Sequence, residues 1–164
     1  MVGVDIDAEG LRKLPQSDRL HTIVADVGSE DDVRRAVREA VSEFGRIDCA
    51  FNNAGIEGER SKIYNLSSKS FERVLRVNLV SQFLCMKYEI QQMIKQQREE
   101  NNDDPMIDRY NFAIINTSST AGLAAMPEFS AYCTSKFGIV GLTRCAAKEY
   151  ANRGIRVNSI CPSL

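Results

Sequence analysis

The 164-residue chain has one histidine, His21, and five cysteines with no C-x-x-C pair among them. Neither type falls at a metal-ligand spacing, so no metal site is expected. The odd cysteine count argues for a reducing compartment and a cytoplasmic location. Four of the five cysteines (Cys49, Cys85, Cys133, Cys145, Cys161) sit among apolar neighbours and read as small buried hydrophobes. No apolar run reaches the roughly 18 residues of a membrane helix. The opening Met1-Val2-Gly3-Val4-Asp5 lacks the basic flank and apolar core of a signal peptide. A formal net charge of -1 gives no electrostatic case for nucleic acid or an anionic membrane as partner. No internal repeat is present.

What is there is ordinary in bulk and specific in detail. Hydrophobic residues make up 43% and charged residues 26%, the balance of a soluble globular domain. By length this is one domain, able to bury about 70% of its unfolded surface. Strand signals at Val2–Ile6, Thr22–Val27, Ile47–Asn52, Phe112–Thr117 and Ile155–Ile160 alternate with helix signals. The helices are read at Ala8–Leu14, from Ser29 to Gly45, from Ser68 to Gln97 and from Pro127 to Asn152. Ser29 reads as an N-cap followed by acids, with Val33, Val37, Ala40, Val41 and Phe44 as a buried stripe. In the long third helix, Phe71, Val74, Leu75, Asn78, Leu79, Gln82 and Phe83 share a face. Strands separated by helices define parallel β-α-β units, hence a doubly wound α/β domain over residues 1–164. The polar stretch 96–110, interrupted by Pro105, reads as a solvated insertion loop, since αβ connections are about 2–6 residues.

Three polar signatures punctuate this framework. Tyr132 and Lys136, in Tyr132-Cys133-Thr134-Ser135-Lys136, lie four apart and so share one helix face. A cation beside a phenol stabilises the phenolate, and about three pKa units, roughly 4 kcal/mol, separate an ordinary phenol from a neutral-pH acid/base. Ser119 closes the run Ile114-Ile115-Asn116-Thr117-Ser118-Ser119, and Asn52-Asn53-Ala54-Gly55 closes an earlier strand signal.

Together, and in this order, the three signatures resemble the classical short-chain dehydrogenases/reductases, from about Val2 to Pro162. The resemblance implies a Rossmann-like fold and hydride transfer between a nicotinamide and an alcohol or carbonyl carbon. It makes Tyr132 the proton donor or acceptor and Lys136 the residue that stabilises its phenolate and bonds the nicotinamide ribose. Ser119, thirteen residues before Tyr132, would orient the substrate oxygen, with Ser118 as a structural rival. Asn78 matches the asparagine that kinks the long helix and holds a relay water. Asp5 would bond the adenosine ribose and repel a 2′-phosphate, favouring NAD over NADP, while Asp7 reads as a helix N-cap. Asp26 and Val27 resemble the pair at the adenine, and Asn53, Ala54 and Gly55 the turn against the cofactor. Pro162 stands where the family has Pro-Gly, with Ser163 replacing the glycine. Partners implied are a small-molecule alcohol or carbonyl substrate and, for a full-length parent, further copies of itself in a homo-oligomer.

The glycine-rich T-G-x-x-x-G-x-G turn of that class is missing from the sequence. The chain opens at what resembles the second family strand and stops after the sixth, without the first or the C-terminal strand. In the order 3-2-1-4-5-6 the first strand is central, so the sheet must either pair its second strand with its fourth or split. The expectation is a fragment of an NAD-preferring oxidoreductase that can itself be inactive. The alternative is a non-catalytic interaction protein of the same framework that joins full-length relatives.

Overall fold

The computed structural model describes residues 1–100 and 112–163. Strand β1 (Val2–Asp5) leads into α1 (Ala8–Arg12), which Asp7 caps by accepting the Glu9 N–H at 3.0 Å. Strand β2 (His21–Val24) pairs parallel to β1, with Val4 opposite Ile23. Helix α2 (Glu30–Phe44) starts at Ser29, whose hydroxyl accepts the Asp32 N–H, and stops at Gly45 with φ +80°. Its buried residues are Val33, Ala36 and Ala40, whereas Phe44 is exposed. The stripe is thus rotated toward Ala36, which packs with Ile23 and Ala25 in the small core of the β1–β2 pair.

The remaining strands form a second parallel sheet in the order β3-β4-β5, from Cys49–Asn52, Phe112–Thr117 and Ile155–Ile160. The sheet has split, as the second of the two expected arrangements requires: β1–β2 shares no ladder with β3-β4-β5. One face of the larger sheet is packed. Met86, Ile90 and Met93 of the long helix and Ala146 meet Phe112, Ile114, Ile155 and Val157 there. The opposite face carries Phe51, 60% exposed, beside its register partner Ile115. The domain is an α/β fold with parallel strands and crossover helices, as the sequence pattern predicts.

The long helix comprises α3 (Ser68–Leu75), a π-turn (Arg76–Val80) and α4 (Ser81–Glu100). Ser67 caps its start through the Ser70 N–H at 3.1 Å. The π-turn inserts one residue, which shifts the helical phase by about 100°. Val74, Asn78 and Gln82 stay buried across it, but Phe83 turns out to 48% exposure, which corrects the predicted face. The polar stretch also starts later than its charge pattern predicts. Gln96 is buried in α4, where its amide pairs with both the N–H and C=O of Ile47 at 2.8 and 2.9 Å. The part of the insertion at 101–110 lies outside the described residues.

Helix α5 (Ser130–Tyr150) begins three residues after Pro127, and a 3₁₀ turn (Ala151–Arg153) with Gly154 in the left-handed region leads into β5. All five cysteines are free, and only Cys133 is buried. Cys49 and Cys145 are exposed because they fall on outward positions of β3 and α5, which their apolar sequence neighbours do not reveal. No helix among the described residues is long and apolar enough to cross a membrane.

Candidate active site

The carboxyl ends of β3 and β4 meet the π-turn and the first turns of α5. Lys136 is 3% exposed, and its Nζ donates to the Thr117 carbonyl at 2.9 Å. The same Nζ stands 5.4 Å from the centroid of the Tyr132 ring. Burial pushes the Lys136 ammonium below the usual lysine range. The predicted helix face is therefore real, and the lysine takes its place by anchoring to the strand end.

Asn78 is fully buried in the π-turn, where the widened backbone lets its side chain reach the loop after β3. Its Oδ1 accepts the Ile56 N–H at 2.7 Å, and its Nδ2 donates to the Ile56 carbonyl at 2.8 Å and Ser135 Oγ at 3.0 Å. The side chain is thus committed to the protein. A Cβ on Gly55 would stand 3.3 Å from Asn78 Oδ1 and 3.7 Å from Lys136 Nζ. The glycine keeps open the space directly over the lysine.

The two serines divide their work. Ser118 is buried and donates to the Lys136 carbonyl at 2.8 Å, a purely structural bond to α5. Ser119 is half-buried, and its Oγ accepts the Ala121 N–H at 3.1 Å, so its own proton stays free to donate. The Thr120 N–H bonds the Pro162 carbonyl at 2.9 Å, bringing Pro162 beside this turn. Asn53 is exposed and takes a hydrogen bond from the Thr117 hydroxyl at 3.0 Å, while Ala54 is exposed without a side-chain role.

Asp5 and Asp26 sit at the ends of β1 and β2, in the other sheet. Asp5 Oδ1 accepts the Asp7 N–H at 2.9 Å and Asp26 Oδ1 the Gly28 N–H at 2.8 Å. Asp26 lines an open cavity of about 470 Å³ with Gly28, Ser29, Glu30, Asp31, Arg76 and Val77. Val27 is half-buried and outside that lining. Arg76 links the groups along the chain, standing two residues before Asn78.

Sequence reading missed a buried polar belt beneath the site. Asn52 Nδ2 donates to Glu89 Oε2 and to Asn116 Oδ1, both at 3.1 Å, and Asn116 Nδ2 reaches Thr143 Oγ1 at 3.0 Å. Burial pushes the Glu89 carboxyl up to about 7, against the pull of the Asn52 amide. It also pushes the Cys85 thiol well above its usual range, with the Glu89 charge adding to the effect. The signal was available: Glu89 interrupts the apolar series Met86, Ile90, Met93 on one helix face.

Parallel strands with crossover helices, and a Tyr–Lys pair near the strands' carboxyl ends, make this an α/β domain of the Rossmann-like type. The short chain dehydrogenase family profile matches residues 4–164, and the chain belongs to that family of oxidoreductases. Cyclohexanol dehydrogenase of Acinetobacter sp. is 40% identical over 138 residues, which cover 84% of this chain and 50% of that protein. Levodione reductase of Leifsonia aquatica is 35% identical over 97% of this chain and 57% of its own length. A crystal structure of a levodione reductase, 34% identical, superposes with a TM-score of 0.85 over 98% of this chain and 60% of that one. An NAD⁺-bound xylitol dehydrogenase gives a TM-score of 0.84 at 35% identity, over 98% of this chain and 59% of that one. The chain therefore spans between half and three-fifths of the length of these relatives.

Proposed function

We propose that these residues form the proton-transfer centre of an oxidoreductase that moves a hydride between a nicotinamide cofactor, NAD preferred, and an alcohol or carbonyl carbon. The observation that carries this reading is the buried Lys136 ammonium, anchored to the Thr117 carbonyl at 2.9 Å and 5.4 Å from the Tyr132 ring. Tyr132 gives or takes the proton at the substrate oxygen. Lys136 stabilises the phenolate form and keeps hydrogen-bond donors for a ribose. Ser119 orients the substrate oxygen with its free proton, and Asn78 holds the Ile56 loop and Ser135 in register with the lysine.

The residues present would fit the two ends of a dinucleotide, although the glycine-rich turn that would hold its pyrophosphate is missing from the sequence. Gly55 leaves the space beside Lys136 that a side chain would fill. Asp5, Asp26 and Val27 would hold the adenosine, and Asn53, Ala54, Gly55 and Pro162 would line the nicotinamide side. Bound there, the nicotinamide supplies the hydride acceptor or donor. The exposed Asp5 carboxylate supports NAD, because it would repel a 2′-phosphate. Leu123 and Met126, exposed just after the Ser119 turn, support an apolar substrate, in keeping with the cyclohexanol of one relative's name. Exposed Phe83 and Phe137 on the two long helices support self-association, and five free thiols fit a reducing, cytoplasmic setting.

A second reading, a non-catalytic partner of a full-length relative, is favoured by one observation, the uncovered Phe51–Ile115 face of the sheet. Thermal unfolding with NAD separates the two. A specific cofactor at one hundred times its Kd adds about 2.7 kcal/mol. An unchanged midpoint up to millimolar NAD would sink the dehydrogenase reading for this chain and favour the second.

A further inference from the structure

Helix α5 carries Tyr132 in its first turn, yet its start is held differently from the other helix starts. Asp7, Ser29 and Ser67 each cap a helix with a side-chain hydrogen bond, whereas Phe129, at the N-cap of α5, makes none. The N–H groups of such a turn, and with them its side chains, are loosely held unless something outside the helix fixes them. What stands outside is a second loop. The Ser61 N–H donates to the Glu128 carbonyl at 2.9 Å, and Ser61 bridges Phe129 in parallel. The Arg60 guanidinium lies 4.9 Å over the Phe129 ring and 3.9 Å from the Glu128 carboxylate. The Phe129 ring also packs against the Tyr132 ring in an edge arrangement, with centroids 6.4 Å apart and planes at 65°.

Glu128 also holds φ at +68°, the one positive value for a non-glycine among the described residues. A glutamate adopts that conformation only where its surroundings over-determine it. Here the strained turn is what delivers its carbonyl to Ser61 and its neighbour's ring to Arg60.

Resting on the reading of Tyr132 as the acid/base, we infer that Arg60, Glu128 and Phe129 form a clasp that positions Tyr132, with Arg60 as its removable pin. The clasp replaces the missing N-cap and ties the loop that follows the Asn53-Ala54-Gly55 turn to the first turn of α5. Both sides of the site then move together or not at all. Because its ion pair is exposed, the clasp can open without unfolding the core.

Native-state hydrogen exchange on the chain itself tests this without any turnover. The Cys133 N–H, bonded to the Phe129 carbonyl at 2.8 Å, is the first protected amide of α5. In Arg60→Met the amides of Cys133 to Lys136 should exchange about tenfold faster, while those of Ile139 to Arg144 keep wild-type rates. Arg60→Lys, which keeps a cation over the ring, should recover most of the protection. Wild-type rates at Cys133 to Lys136 in Arg60→Met, or equal acceleration along the whole of α5, would overturn the clasp. Either result leaves the proposed chemistry of Tyr132 untouched, since that is judged by cofactor binding and turnover.

Discussion

Glu89 and Asn52 face each other across the junction of α4 and β3, the carboxylate accepting the amide at 3.1 Å with both residues 8% exposed. Asn52 is also the register partner of Asn116, so one bond from the helix reaches both strands whose ends carry the site. A carboxylate there loses its hydration and gains in return the Asn52 amide from β3, beside the Cys85 thiol on its own helix. The neutral acid is favoured as a result.

That placement makes stability depend on pH in an unusual direction. The folded value of about 7 lies above the usual 4.5, so between them the folded chain keeps a proton that the unfolded chain has released. Stability from this group is full below about pH 4.5 and falls as pH rises through 7, by on the order of 3 kcal/mol. Glu89→Gln keeps an acceptor for Asn52 and removes the titration. Urea unfolding at pH 5, 6, 7 and 8 should show the variant gaining on the wild type as pH rises. Lys136 and the surface pairs titrate alike in both proteins, so the difference isolates Glu89. Parallel curves would refute it.

Asn78 offers a test of the loop anchorage. Its three side-chain hydrogen bonds serve both backbone groups of Ile56 and the Ser135 hydroxyl. Asn78→Ala leaves the half-buried Ile56 pair without these partners, at about 1–3 kcal/mol for each group. The expected outcome is a lower urea midpoint with an unchanged m-value and loss of exchange protection at the Ile56 amide. Asn78→Asp restores the acceptor but not the donor, and should recover protection at that amide while staying less stable than wild type.

Much of this was legible in the sequence, for identifiable reasons. Asp7, Ser29 and Gly45 act through local hydrogen bonds and backbone preference, so their neighbours in the chain announce them. The Tyr132–Lys136 face follows from helical spacing alone. The clasp at Arg60 and the belt from Glu89 to Thr143 join residues 27 to 69 positions apart, which no periodicity encodes. Phe83 leaves the face its spacing predicts because a π-turn shifts phase without leaving a compositional mark. The Ser68–Gln97 helix signal includes Gln96, but its burial is not legible because its bonds to Ile47 lie inside a run that looks solvated.

Two glycines of one region should respond oppositely to alanine. A Cβ on Gly122 would overlap Ser118 Oγ and approach the Lys136 carbonyl to 2.6 Å, against backbone that cannot yield. Gly122→Ala should cost about 2 kcal/mol or more and loosen the Ser118–Lys136 bond. A Cβ on Gly141, in mid-α5, meets nothing within 4 Å. Gly141→Ala should stabilise by up to about 1 kcal/mol through helix propensity. Thermal melts of both variants decide it, and equal effects would mean that the close packing at Gly122 is not what restrains α5.

On the proposed reading, the choice between NAD and NADP would turn on one exposed carboxylate, Asp5. Asp5 ends β1 and spends one oxygen on the Asp7 N–H, which leaves its charge facing outward. Asp5→Ser keeps an oxygen acceptor for that turn and removes the charge. Repulsion between a carboxylate and a phosphate about 4 Å apart in water is worth about 1 kcal/mol, roughly fivefold in affinity. The variant should therefore gain about that factor for NADP while NAD weakens, because the ribose hydroxyls lose an ionised acceptor. Asp26→Ser, which alters the group proposed to hold the adenosine, should weaken both cofactors alike. Isothermal titration of the two variants with each cofactor separates these effects. A preference unchanged by Asp5→Ser but altered by Asp26→Ser would move the discriminating role to the end of β2.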